Sequence, residues 1–240
     1  MASPDEDARG LEELVGALHE LDGELSAREA GPMEVRALGG FALAYRGLRP
    51  EGLTVDIDTA TPTYPADVRR AIEAVAERRG LAGDWVNNQT VFSFGDVVGP
   101  DDVAALDDML DARYLPVEDE RFDNIDLQVA DVPTLVKSKA YAVCDIELGW
   151  RDEKDLADLV SALAAVGVDD VGAACSRFPW LMDPEFSYCL ERLEDRLASQ
   201  GPHENEAGDP GRGVDLDAPD PRDSRPSATS RLDRAVDTVR

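Results

Sequence analysis

The sequence predicts an α+β fold: a small mixed sheet with flanking helices, a helical C-terminal part and a disordered acidic tail. Three observations carry this. Apolar residues recur at spacings of three and four over several stretches, the period of helices with one buried face. Between these stretches lie short runs in which apolar and polar residues alternate, the period of half-buried strands. Beyond about Gln200 both patterns stop, and Pro, Gly, Ser and acidic residues take over. The expected divisions are an N-terminal helix over 1–30, a core over 31–145, a helical part over 146–200 and the tail over 201–240.

Taken in order, Leu11, Leu14, Val15, Leu18, Leu21 and Leu25 form one stripe and predict a helix from about Asp5 to Ala30. Gly31-Pro32 ends it. His19 lies beside the stripe and reads as a boundary residue rather than a ligand. Met33 to Leu38 is a strand, Gly39-Gly40 a turn, and Phe41 to Arg46 a short helix. A loop carrying Arg46 and Arg49 leads to a strand over Thr54–Thr59. Ala66 to Arg79 is a helix closed by Gly80. Asp84 to Asn88 is an irregular polar segment around Trp85, followed by a short strand over Thr90–Phe94. Asp101 or Asp102 caps a helix ending at Leu110. Strands follow at Arg113–Glu118 and Asn124–Ala130. Helices are expected from Asp131 or Pro133 to about Val143, then over Glu153–Val166, Asp169–Ser176 and Pro184–Ala198. A last short one falls within the tail, near Arg231 to Val239.

The chain has 240 residues, enough to bury a sizeable core, and 43% of them are hydrophobic. Its charge is unusual: 51 acidic against 24 basic residues, a net −27. Lys137, Lys139 and Lys154 are the three lysines. Acid-rich, lysine-poor composition resembles that of proteins from salt-in halophiles, where strong salt screens charge over roughly 3 Å at 1 M. No basic run exists to neutralise a nucleic-acid backbone, so any such contact requires a local site. Cys144, Cys175 and Cys189 are dispersed and lack metal-ligand spacing. With an acidic N-terminus and no apolar run of membrane-spanning length, the expectation is a cytoplasmic protein without a membrane partner.

The chemistry concentrates between Val35 and Asp58. On the expected strand Val55 and Ile57 point one way, Asp56 and Asp58 the other. Two such carboxylates sit about 7 Å apart on one face. They suit a hard divalent cation, with a solvated strand face as the alternative. D-x-D alone says little in so acidic a chain, as Asp215 and Asp217 in the tail illustrate. Context singles out Asp56 and Asp58. The Gly39-Gly40 turn opens a helix, where backbone N–H groups can approach a phosphate, or it is only a tight turn. Neither a P-loop nor a dinucleotide fingerprint is present. Asp126 alternates with Ile125, Leu127 and Val129 and is the natural third carboxylate. The polar face of an edge strand accounts for it equally well.

Gly-Gly, a short helix and then D-x-D resembles the nucleotidyltransferase fold of the DNA polymerase beta superfamily. The strand N-I-D-L-Q-V around Asp126 is similar to the one bearing that superfamily's third catalytic Asp. Further motifs resemble the nucleotidyltransferase-like proteins of the AbiEii toxin group. They are Gly39, Gly40, Ala42 and Leu43; Thr54, Asp56 and Asp58; D-W-V-N at Asp84 to Asn87; Lys139; and Arg151, Lys154, Asp155 and Asp158. The likeness spans roughly residues 10 to 165. It implies a nucleotidyltransferase-like sheet with Asp56, Asp58, Asp126 and Lys139 as catalytic residues. The three aspartates would hold Mg²⁺ or Mn²⁺, with NTP phosphates at Gly39, Gly40 and Lys139 and Asp155 in support. The implied reaction moves a nucleoside monophosphate from an NTP to a hydroxyl of tRNA or of a protein. It implies in turn the toxin of a toxin–antitoxin pair, with a cognate antitoxin as partner. For Lys154 a solvated network at a helix start is the preferred reading. Phe41 stands where many superfamily members carry a phosphate-binding Ser. The alternative from another class is a catalytically inactive protein that keeps the fold for interaction or regulation.

Overall fold

In the computed structural model, which describes residues 9–49, 52–89, 102–145 and 152–199, the leucine stripe forms helix α1 (Leu11–Ala27) behind a two-residue strand β1 (Arg9–Gly10). Leu14, Leu18, Leu21 and Leu25 are fully buried. The stripe packs on helix α3 (Ala66–Arg79), whose Val68, Ile72 and Val75 face inward and which Gly80 closes in the left-handed conformation. At the far end of α1, the buried Asp22 fixes the chain that enters the sheet. Its Oδ1 accepts the backbone N–H groups of Asp123, Asn124 and Ile125 at 3.1, 2.6 and 2.8 Å. His19 is half-buried, with Nε2 3.0 Å from Asp119 Oδ2 and its ring 4.6 Å from that of Phe122.

The sheet is built from short strands. Strand β2 (Met33–Ala37) runs parallel to β7 (Ile125–Ala130), and β6 (Tyr114–Pro116) pairs antiparallel with β7 on its other side. Strand β4 (Ile57–Asp58) lies on the open side of β2 through the antiparallel bridge Ala37–Thr59. It pairs in parallel with β5 (Val86–Asn87). The resulting order is β6-β7-β2-β4-β5. Met33, Val35 and Ala37 with Ile125, Leu127 and Val129 turn their side chains into one core that includes the α1 leucines and the fully buried Trp85.

Four expectations change. Arg9–Gly10, expected within the first helix, is strand β1, and Val86–Asn87, expected in an irregular segment, is strand β5. The single strand over Thr54–Thr59 is broken into β3 (Leu53–Thr54), antiparallel to β1, and β4. Each half answers to a different neighbour, and the chain bends between them at Val55-Asp56, where Thr54 Oγ1 donates to the Asp56 carbonyl at 3.3 Å. The short helix α2 (Gly39–Tyr45) begins at the glycine pair itself, two residues earlier than expected.

Elsewhere local signals set the ends. Asp102 caps α4 (Val103–Leu110), Asp131 caps α5 (Val132–Cys144) and Asp170 caps α7 (Val171–Arg177), each accepting a backbone N–H through its side chain. Helix α6 (Asp152–Ala165) packs along α5, and α8 (Ser187–Ser199) covers both. Two 3₁₀ turns, Pro179–Met182 and Pro184–Phe186, precede α8. Among the described residues no helix is long and apolar enough to cross a membrane. Outside these residues lie any helical start before Arg9, the strand expected at Thr90–Phe94, Asp101, Arg151, and the 201–240 tail with its last helix.

Candidate functional site

Gly39 sits at the end of β2 with φ +59°, a conformation glycine adopts without steric cost. The space its missing side chain leaves is taken by Asp58: a Cβ on Gly39 would collide with Asp58 Oδ2. The contact follows from the strand pairing, since Leu38 N donates to the Asp58 carbonyl at 2.9 Å. Gly40 is equally confined. A Cβ there would lie 2.5 Å from Thr54 Oγ1 and 2.6 Å from Arg49 Nη1. The backbone of the glycine pair thus lies against an acid, a hydroxyl and a guanidinium.

Asp56 and Asp58 share a face. Asn87 is the register partner of Asp58, and its Nδ2 donates to Asp56 Oδ2 at 3.1 Å. A residue opposite Asp58 reaches Asp56 only if both carboxylates project to the same side. Both residues are half-buried.

Arg49 carries the site into the C-terminal helices. Its Nε and Nη2 donate to the two carboxylate oxygens of Asp158, at 3.1 and 2.5 Å. Its Nη1 donates to the Leu53 carbonyl at 2.8 Å. Lys139, on α5, places Nζ 2.6 Å from Asp155 Oδ1 and 3.0 Å from Asp158 Oδ2. Asp155 and Asp158 are three residues apart on α6 and therefore project from one side of it. The Lys139, Asp155 and Asp158 residues are all buried. Burial opposes the charge on Lys139, but Asp158 and Asp155 more than reverse this and raise its pKa. Burial likewise works against the Asp158 carboxylate, and Lys139 and Arg49 overcome it, holding the group below the usual carboxylate range.

Asp126 lies elsewhere. It is exposed, accepts from Gln128 Nε2 at 2.9 Å, and pairs in register with Glu34. Asp58 stands level with Leu38. Four residues of strand rise are about 13 Å, and two strand spacings add about 10 Å across the sheet. Asp126 thus shares the polar face but does not join Asp56 and Asp58, and the three-carboxylate cluster is not formed. Among the described residues, no group of three or more His, Cys, Asp or Glu side chains is arranged to hold a metal ion.

One line of contacts therefore joins most of the expected residues: Asp58, Gly39-Gly40, Arg49, Asp158, Lys139 and Asp155. Sequence reasoning gave Arg49 and Asn87 no role. Arg49 has no local signal, being one arginine in a loop. Asp158 had one, as the second acid of D-x-x-D on a helix that faces a scarce lysine. No protein-family model, curated protein or solved structure matches the chain.

Proposed function

We propose that the chain is a metal-dependent nucleotidyltransferase that moves a nucleoside monophosphate from an NTP to an acceptor hydroxyl on RNA or protein. One observation carries the reading. Four segments far apart in sequence, Gly39-Gly40, Thr54–Asp58, Lys139 and Asp155–Asp158, meet through Arg49 at a single place. Each supplies a group that phosphoryl transfer needs: close-approach backbone, carboxylates and cations.

The donor set fits Mg²⁺ as a two-carboxylate site. Asp56 and Asp58 offer hard oxygens on one face, and Mg²⁺ is commonly held by one or two carboxylates with substrate phosphates and waters completing its shell. Bound there, the ion would neutralise charge on the transferring phosphoryl group. The protein's own contribution is positioning. Asn87 orients Asp56, Gly39 leaves room for the Asp58 carboxylate, and the Arg49–Asp158–Lys139–Asp155 network holds α6 against the glycine turn. Asp126 has no part in the proposed reaction.

The test is incubation of the full chain with each labelled NTP, Mg²⁺ and total tRNA in multimolar KCl, scoring transfer to RNA and to protein separately. Transfer that is lost in Asp56→Ala/Asp58→Ala is the expected result. No transfer to any acceptor, with no difference between wild type and variant, would overturn the enzyme and leave an inactive interaction protein.

A further inference from the structure

A cavity of about 360 Å³ lies between α3 and β5, a size that holds small organic groups. Tyr64, Ile72 and Val86 give it apolar walls. Tyr64 offers its ring, because its hydroxyl is already engaged. That hydroxyl lies 3.0 Å from Thr59 Oγ1 and accepts from Thr61 Oγ1 at 2.9 Å. Thr59 Oγ1 in turn donates to the Asn87 carbonyl at 2.9 Å, which fixes the ring against β5. Arg69 and Glu73, both exposed and one turn apart on α3, also line the cavity. Opposite charges four apart on a helix commonly pair. Among the described residues neither of these side chains has a hydrogen-bond or ion-pair partner.

We infer that this cavity seats the acceptor, and that the acceptor is a tyrosine side chain of a polypeptide. The inference takes its reaction from the nucleotidyltransferase reading. Position argues for an acceptor. Asn87 lines the cavity and donates to Asp56 Oδ2 at 3.1 Å, so cavity and carboxylate pair share one residue. Across the sheet the order is glycine turn, Asp58, Asn87, since Leu38 N donates to the Asp58 carbonyl and Asn87 is the register partner of Asp58. In phosphoryl transfer the attacking and leaving oxygens lie roughly in line on opposite sides of phosphorus. With the leaving phosphates at the glycine turn, the attacking hydroxyl arrives from the β5 side, where the cavity is. Chemistry argues for tyrosine. The walls suit a phenol ring packed against Tyr64. The charged lining is two acids, Glu73 and Asp84, against one base, Arg69, in a chain of net charge −27. That balance disfavours a nucleoside flanked by RNA phosphates. Arg69 and Glu73 suit an acid and a base beside the tyrosine. In the transfer the phenol oxygen bonds to the α-phosphorus of the NTP. The bond from that phosphorus to the oxygen bridging it to the β-phosphate breaks, pyrophosphate leaves, and the phenol proton passes to solvent.

The probe is the tripeptide Lys-Tyr-Asp, blocked at both ends. Its binding to the full chain is measured by calorimetry, and transfer to it from labelled NTP with Mg²⁺ is measured alongside. Gly83 lines the cavity, and nothing lies within 4 Å of a Cβ added there, so Gly83→Phe adds bulk to the lining without a backbone clash. It should weaken tripeptide binding about tenfold or more and raise the KM for peptide alike, leaving the KM for NTP unchanged. Arg69→Gln/Glu73→Gln should act in the same direction. Gly23→Phe, on the exposed side of α1, should change neither. Lack of tripeptide binding by the wild type, or wild-type binding by Gly83→Phe, overturns the inference. A Gly83→Phe variant that raises the KM for NTP alone makes the cavity a donor site and also overturns it. Transfer to tRNA and not to the peptide overturns the tyrosine acceptor while sparing the nucleotidyltransferase reading. Tripeptide binding that Gly83→Phe weakens, without transfer to any acceptor, supports the cavity's ligand and overturns that reading instead.

Discussion

Arg49 and Asp158, 109 residues apart in sequence, meet as a two-nitrogen ion pair with side chains only 10% and 8% exposed. The pair fastens the loop after α2 to helix α6. Removing Asp158 leaves the largely buried Arg49 without a carboxylate and Lys139 with Asp155 alone, and removing Arg49 leaves Asp158 with Lys139 alone, each a loss of up to about 3–5 kcal/mol. Arg49→Met and Asp158→Ala should each lower stability by that order in urea melts. The double variant Arg49→Met/Asp158→Leu should cost less than the two singles combined, because no charge is left unpaired. Strict additivity would show that the pair is not coupled.

The same network sets a pH dependence. Asp158 is held below the ordinary carboxylate range, so the folded state protonates it less readily than the unfolded chain does. Its stabilising contribution is complete above its unfolded pKa, about 3.9, and is lost as pH falls through the folded value. Lys139 is shifted upward, so its contribution is complete below about pH 10 and is lost as pH rises through its own folded value. The acid limb is isolated by comparing melting temperatures of wild type and Asp158→Asn. The gap between them should be constant from about pH 5 to 8 and close as pH drops below 4. An unchanged gap at pH 3 would mean that the carboxylate charge is not what stabilises the fold.

Substitutions in the glycine turn separate backbone strain from close approach. Gly47 has φ +71° and nothing within 4 Å of a new Cβ, so Gly47→Ala should cost only the left-handed strain, about 1–2 kcal/mol, and leave transfer intact. Gly39→Ala adds the collision with Asp58 to the same strain and should abolish transfer. Gly40→Ala is the sharper case. Ala is preferred over Gly in a helix by about 1 kcal/mol, so propensity alone predicts stabilisation. The contacts with Thr54 and Arg49 predict the opposite sign. A Gly40→Ala variant that melts higher than wild type and remains active would show that the turn tolerates a side chain.

What could be read from the chain was local. Asp102, Asp131 and Gly80 mark helix ends because a cap acts within one turn, and the structure uses all three. The strand over Thr54–Thr59 was misread because its break is decided by partners far away, β1 for one half and β5 for the other. Strand β5 is two residues of parallel pairing, too short for its own alternation to announce it. Arg49 was invisible as a site residue for the same reason, since its meaning lies wholly in Asp158. Lys139 stood out through scarcity, yet its burial between two carboxylates required the packing of α5 on α6.

Asp126 shows the limit of alternation most directly, and it separates two versions of the site. A period of two places a residue on a face and says nothing of its position along the strand. Asp126 is on the polar face as its pattern requires, but the pairing with Glu34 puts it about 13 Å along the sheet from the level of Asp58. A carboxylate at that remove shares no cation with Asp56 and Asp58. Asp126→Asn should therefore retain transfer within about twofold of wild type, whereas the isosteric Asp56→Asn and Asp58→Asn should each lose about 100-fold or more of kcat, the scale of removing a metal-bound charge. Measuring all three side by side, with circular dichroism to confirm folding, decides the matter. Equal losses in all three would place Asp126 back beside the pair and overturn the register argument.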